Sequence, residues 1–311
     1  MGKGRVVVMG SYVADVAFRT EKLPAWGETY MGSEFRLGPG GKGSNQAVAA
    51  ARAGAQVSFI SKLGRDAFGD MAREMYRREG IDAAHVLETD SATGAAAIII
   101  DARKGENAII VVPGACFELN AAEVEQAREV IAMADVFVTQ LELPLPTVEE
   151  GLRLAHSVGV TTILNPAPGC KLPESVFQYC DYLMPNETET EILTGVRVVS
   201  IEDAKRAADV LLGWGARNVV ITLGEQGALV KNAALCEVVP AFNAGEVVET
   251  TGAGDAFTGG FAVALAEKKG IVEAVRFGCA VAGISVTRQG TAPSMPLRSE
   301  VDELLRRTSG V

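Results

Sequence analysis

The feature that most limits the fold is an alternation of strand and helix signals along most of the chain. Residues 5–10, 57–61, 136–139, 162–164, 182–184 and 219–223 are short runs rich in β-branched and apolar residues, the reading of strands buried on both faces. Helix signals separate them. Residues 44–51 are alanine-rich and closed by Gly54, and residues 66–78 end at Gly80. Asn120 with Glu123, and Thr147 with Glu150, have capping-box spacing and open helices to about residues 133 and 158. Further helices are expected over 200–212, after Asp255, from 272 onward and over 298–307, with two more strands at 228–231 and 237–239. Repeated strand-then-helix units predict an α/β fold. Its centre is a doubly wound, mostly parallel sheet with helices on both faces and ligands at the carboxyl ends of the strands.

Two stretches interrupt the alternation. The irregular region up to Leu37, containing Pro24, Trp26 and Gly27, does not read as a helix. Residues 95–100 and 107–112 flank a polar segment, 101–106, in a hairpin pattern. Both are expected to stand off the main sheet as a small β-sheet of their own.

With 48% hydrophobic residues among 311 and no apolar run of membrane-spanning length, the chain reads as globular and without a membrane span. The short apolar run near the start lacks a signal-peptide cleavage pattern, so a cytoplasmic home is expected. Five cysteines without a C-x-x-C spacing support neither a disulfide framework nor a zinc site. A formal net charge of −10 argues against nucleic-acid binding.

Chemistry concentrates in residues 249–260, E-T-T-G-A-G-D-A-F-T-G-G. A helix starting near Ala253 puts Asp255 in its first turn, and Gly252, Ala253 and Gly254 can present bare amides to an anion there. An ordinary helix entry with an N-terminal Asp is the simpler explanation of the motif alone. Gly38-x-Gly40-x-x-Gly43 matches the dinucleotide fingerprint in letters, but it does not follow the first strand directly as that fingerprint requires. It reads as a glycine turn at a helix start that lets Lys42 and Asn45 reach a polyhydroxy ligand, or as a purely structural turn. Asn186 and Glu189 share a helix face, where they can hold a hydrated Mg²⁺ or form an ordinary cap. Thr222, Gly224 and Gly227 end a strand where a nucleotide can lie against backbone, or where a β-turn joins two strands. Glu142 follows the strand at 136–139, a ligand-facing position in a doubly wound sheet, although an exposed loop acid is the simpler reading of the residue alone.

Taken together, Gly10-Ser11 with Asp15, Gly40 to Ala47, Asn165-Pro166-Ala167-Pro168, Asn186 to Glu189, Thr222-Leu223-Gly224 and Thr251 to Phe257 resemble the ribokinase-like (PfkB) family of carbohydrate kinases, over nearly the whole chain. The resemblance implies an α/β kinase core made of residues 1–15, 38–92 and 113–311 and a β-sheet lid made of 16–37 and 93–112. In that family the lid covers the sugar and often pairs two subunits, so a homodimer is implied. The implied activity is ATP-dependent phosphorylation of a primary hydroxyl on a small sugar, ribose or a related pentose such as 2-deoxyribose. A ketohexose or nucleoside kinase, and a non-catalytic sugar-binding regulator, are the alternatives. By resemblance Asp255 is the catalytic base and Gly252, Ala253 and Gly254 are the anion hole. Asp15, Gly41, Lys42, Asn45 and Glu142 match sugar positions, and Asn186, Glu189, Thr222, Gly224 and Gly227 match the ATP and Mg²⁺ side. Glu249, Thr251, Ser285, Arg288, Gly290 and Ser294 match positions around a monovalent cation, K⁺. Two residues depart from the pattern: Val13 stands where ribokinases usually carry asparagine, and Glu249 where aspartate is more usual.

Overall fold

The structure is a computed structural model that describes residues 3–103 and 107–308. Lys104, Gly105 and Glu106 of the expected hairpin turn, and residues 1–2 and 309–311 of the expected core, lie outside the described residues. The first half of the chain runs β1 (Arg5–Met9), β2 (Val13–Thr20), β3 (Glu34–Gly40), α1 (Lys42–Arg52), β4 (Gln56–Gly64), α2 (Ala67–Glu79), β5 (Asp82–Thr89), β6 (Thr93–Asp101) and β7 (Asn107–Gly114). There follow α3 (Ala121–Gln126), α4 (Arg128–Ala132), β8 (Val136–Thr139), α5 (Leu145–Ser157), β9 (Thr161–Leu164), β10 (Tyr182–Leu183), α6 (Glu187–Thr194) and α7 (Ile201–Gly213). The last part is β11 (Asn218–Thr222), β12 (Ala228–Lys231), β13 (Cys236–Val239), α8 (Ala253–Ala266), α9 (Ile271–Ser285) and α10 (Arg298–Thr308).

Nine strands form the main sheet in the order β13-β12-β11-β10-β9-β8-β1-β4-β5. The neighbours from β5 across to β11 pair in parallel, whereas β12 and β13 are antiparallel additions at one edge. Alternation along β1 sorts the two faces: Val6 and Val8 join one core beneath α1, α8 and α9, and Val7 and Met9 join the other beneath α5 and α7. The chain leaves β1 for β4 and β5 on one side and later returns to β8 on the other. The crevice between the ends of β1 and β8 is therefore the switch point where doubly wound sheets take ligands.

A second sheet has the order β3-β2-β6-β7, with β2 and β6 parallel and the outer pairs antiparallel. The two irregular stretches of the sequence meet in it, and its strands reach from Val13 and to Gly40, three residues beyond the expected limits on each side. Its β7 face is bare: Ile110 is 71% and Val112 61% exposed.

Three local readings need correction. Thr147 does not cap a helix, because α5 begins at Leu145 behind Pro144, and the buried Thr147 hydroxyl donates instead to the Leu119 carbonyl (2.6 Å). The helix has no side-chain cap, and Pro146 in its first turn suits the position because its φ is fixed near the helical value. The Asn120–Glu123 box forms as expected, but its helix breaks at Ala127 into α3 and α4. Strand β5 escaped notice because its burial alternates weakly and Asp82, His85 and Glu88 interrupt any apolar run. Among the described residues no helix is long and apolar enough to cross a membrane.

Candidate active site

Small residues bring the site together. A Cβ on Gly259 in α8 would fall 2.5 Å from the Ala49 Cβ in α1, so the alanine-rich helix and this glycine allow the two helices to lie close. A Cβ on Gly43 would sit 2.6 Å from Gly10 Cα, which presses the start of α1 against the end of β1. Gly41 precedes α1 with φ of 86°, a left-handed value that suits glycine.

Helix α8 opens at Gly252 (φ 83°), and Asp255 is buried in its first turn. Both carboxylate oxygens are held: Asn45 Nδ2 donates to Oδ2 (3.0 Å) and Gln46 Nε2 to Oδ1 (3.0 Å). Two long-range contacts thus fix a carboxylate at the positive end of a helix. The three expected bare amides are not equivalent, because Ala253 N–H donates to the Thr250 carbonyl (3.2 Å). Among the described residues no acceptor meets the amides of Gly252 and Gly254, and a Cβ on Gly254 would have open space around it. An anion can approach these two closely.

Glu142 lies in the β1–β8 crevice, where its Oε2 accepts from Ser11 Oγ and from the Lys42 amide (2.9 Å). Asp15, on β2, occupies the space that a side chain on Gly40 would need: a Cβ there would lie 2.3 Å from Asp15 Oδ2. Thr291 Oγ1 approaches Asp15 Oδ2 (3.5 Å) and donates to the Pro39 carbonyl (3.1 Å), joining the small sheet to the segment after α9. Burial, and then the neighbouring charge of Glu142, push the Asp15 carboxyl up to about 6, with Asp255 and Glu249 adding to the effect. Burial opposes the charge on Lys42, yet the carboxylates of Asp255, Glu142 and Glu189 outweigh it and hold its ammonium above the ordinary lysine range. Asp15, Lys42, Asn45, Glu142 and Asp255 therefore form one charged cluster.

Asn186 and Glu189 close a reciprocal capping box: Asn186 Oδ1 accepts from the Glu189 amide (2.8 Å) and Glu189 Oε2 from the Asn186 amide (2.9 Å). The amide oxygen of Asn186 is thereby occupied, while Oε1 of the buried Glu189 stays outside the box. Burial raises the Glu189 carboxyl, and Lys42 nearby partly offsets this. A parallel bridge sets Asn186 beside Thr222, and Gly224 follows with φ of 53°. Gly227 has a packing explanation of its own, since a Cβ there would lie 2.0 Å from the Val239 carbonyl.

Just before the same end of α8, Glu249 Oε2 accepts from the Gly290 amide (2.9 Å) and ties two loops together. Thr251 lies in the turn just before α8. The side chains of Ser285 and Ser294 donate to the Ala282 and Thr291 carbonyls, and Arg288 pairs with Glu300. Those three side chains are engaged locally.

Sequence reasoning left Gln46, Gln140, Asn165 and Thr291 without a role. Gln140 and Asn165 directly follow β8 and β9, so polar residues at the carboxyl ends of parallel strands were the signal that marks them.

A sequence profile described as pfkB family carbohydrate kinase matches residues 3–298. The chain belongs to the PfkB family of carbohydrate kinases. PfkB membership makes it a phosphotransferase with an alcohol group as acceptor. A protein named ribokinase from Haemophilus influenzae is 41% identical over 300 residues, covering 96% of this chain and 98% of its own. A Salmonella typhi protein named deoxyribokinase is 35% identical with 96% and 98% coverage. The solved structure of Arabidopsis thaliana ribokinase complexed with ribose and ATP superimposes with a TM-score of 0.92 at 31% identity, covering 98% of this chain and 99% of that one.

Proposed function

We propose that this PfkB protein transfers the γ-phosphoryl group of ATP to the primary hydroxyl of a pentose, ribose or 2-deoxyribose, with Asp255 as general base. The observation that carries the reading is the buried Asp255 carboxylate beside two unpartnered amides at one helix start. Phosphoryl transfer proceeds through a loose transition state with charge on the phosphoryl oxygens, so positioning and charge stabilisation matter most. Asp255 accepts the hydroxyl proton as transfer proceeds, while the Gly252 and Gly254 amides, supported by Ala253 and the helix dipole, meet the developing charge. Asp15, Glu142 and Asn45 supply acceptors for sugar hydroxyls, and the buried Asn45 Oδ1 meets no donor among the described residues. Gly41 lets the backbone come close to the sugar, and the Lys42 ammonium adds positive charge between the sugar and phosphate ends.

The nucleotide lies, in this reading, along Asn186, Thr222, Gly224 and Gly227. A hydrated Mg²⁺ needs only one or two protein carboxylates plus phosphates, and Glu189 Oε1 fits that demand. Asn186 then acts by orienting Glu189. K⁺ belongs beside α8, with carbonyls of Thr251, Ser285, Arg288, Gly290 and Ser294 as ligands and Glu249 holding the loops. The small sheet is the sugar-covering lid, residues 16–37 and 93–112 at its heart, and its exposed β7 face pairs two copies. A cytoplasmic setting accords with five cysteines present as free thiols.

Val13 bears on the choice between the two pentoses. Its buried side chain offers no hydrogen bond where ribokinases usually carry an asparagine amide, which favours a sugar lacking one hydroxyl. The test is ADP production over pentoses, 2-deoxyribose, ketohexoses and nucleosides, with and without K⁺, on the parent and Asp255→Asn. The expected outcome is 2-deoxyribose used at least as well as ribose, and a kcat about 10² to 10⁴ lower in the variant. Near-full activity in Asp255→Asn removes the base assignment, and a strong preference for ribose over 2-deoxyribose removes the argument from Val13.

A further inference from the structure

Behind Asp255 lies a chain of buried amides that the proposed reaction does not yet use. Gln46 Nε2 donates to both Asp255 Oδ1 and Asn165 Oδ1, each at 3.0 Å. Gln46 Oε1 accepts from Gln140 Nε2 (2.6 Å), and Asn165 Nδ2 donates to the Met184 carbonyl (2.9 Å). Gln46, Gln140, Asn165 and Asp255 are all buried.

One backbone atom fixes the direction of every amide in this chain. The Met184 carbonyl can only accept, so Asn165 must turn its NH₂ toward it and its oxygen toward Gln46. Gln46 must then present NH₂ to Asn165. Its second amide hydrogen is left for Asp255, and its oxygen for Gln140. No other side chain meets all three demands. Glutamate cannot donate twice, asparagine stops one methylene short, and an apolar residue leaves Asp255 Oδ1 and Asn165 Oδ1 facing each other without a shared donor.

We propose that Gln46 is a positioning residue that sets the rotation of the Asp255 carboxylate, transmitting the fixed orientation of the Met184 backbone at the end of β10 to the proposed base. The inference rests on the reading of Asp255 as base. With Gln46 on Oδ1 and Asn45 on Oδ2, the carboxylate is held from two sides. Met184 stands two residues before Asn186, so the same anchor also begins the nucleotide side. The relay ties the two halves of the site to one rigid strand end. Such preorganisation acts on the transition state and leaves sugar binding largely alone.

The test is a double-mutant cycle on the full chain with ATP and the preferred pentose, using Gln46→Met, Asp255→Asn and both together. Losing one hydrogen bond to a charged group predicts a kcat lower by about 10- to 100-fold in Gln46→Met, with the sugar KM changed less than about three-fold. In the Asp255→Asn background the same substitution should cost little more. Equal slowing in both backgrounds, or a loss carried by the sugar KM, overturns the proposal in favour of a packing role. An active Asp255→Asn instead overturns the base reading, whereas a slow Asp255→Asn beside a fully active Gln46→Met overturns only the role of Gln46. Should Gln46→Met fail to fold, Gln140→Leu serves in its place. It leaves Gln46 present but frees its far end, and is expected to lower kcat less, again only when Asp255 is intact. An unchanged kcat there overturns the proposal.

Discussion

Replacing Asp15 by asparagine is expected to stabilise the protein at about pH 8 while harming sugar use, because this carboxylate is held where its charge is disfavoured. Its carboxyl is raised from the ordinary 3.8 to about 6 by burial and by the charge of Glu142, Asp255 and Glu249. The difference of about two pKa units corresponds to ~3 kcal/mol. Since the folded-state value lies above the unfolded one, folding favours the protonated group. Its stabilising contribution is full below the ordinary value near 3.8 and is lost as pH rises through about 6. At about pH 8 the ionised group therefore costs the whole difference, and Asn removes that cost while its amide oxygen can still face the Thr291 hydroxyl. Allowing for imperfect replacement, a gain of about 1–3 kcal/mol is expected, which for a chain of this size raises Tm by a few degrees. The assay is thermal unfolding of parent and variant at about pH 8 and about pH 4, together with sugar KM at the higher pH. The variant should melt higher at pH 8, lose that advantage toward pH 4, and require much more sugar for half-maximal rate. A variant that melts lower at pH 8, or gains equally at both pH values, would refute the reasoning.

Two further predictions concern packing and assembly. Thr147→Val keeps the shape of the side chain but strips the buried Leu119 carbonyl of its 2.6 Å donor, so the urea midpoint should fall by the equivalent of ~1–3 kcal/mol at unchanged m; an unmoved midpoint would mean that the bond contributes nothing. Ile110→Lys places a charge on the bare β7 face and should shift a dimer to monomer in light scattering at micromolar concentration. A parent that is already monomeric, or a variant that stays dimeric, would sink the lid-pairing proposal.

Much of the fold was legible because its signals are local. A strand covered on both faces is almost wholly apolar, and helices show their apolar period and often a capping residue or glycine near one end, so β1, β4, β8 and β11 and helices α1, α2, α7 and α8 could be placed within a few residues. β5 failed that criterion, since an edge strand with one exposed side can carry Asp82, His85 and Glu88. Thr147 failed it differently. A serine or threonine followed three residues later by glutamate has the spacing of a cap wherever it falls, and only the location of Leu119 decides what the hydroxyl meets.

The site divides in the same way. The glycines at 41, 43 and 252, the aspartate three residues after the last of these, and the asparagine ahead of α6 stood out in sequence because backbone geometry confines those residue types to such positions. Tertiary structure alone decided that Asp255 is gripped by residues about 210 positions earlier and that Glu142 bonds Ser11 across the switch point. It alone revealed that one of the three glycine-turn amides is already engaged by Thr250 and that Asn186 spends its oxygen on a cap. A hydrogen bond depends on distance and angle between atoms, and a linear pattern carries neither for residues that are distant along the chain. The sequence by itself determined which elements form and which residue types sit at their ends; the packing of α1 against α8 over Gly259 and Ala49 determined which of those ends face one another, and so which side chains meet through hydrogen bonds.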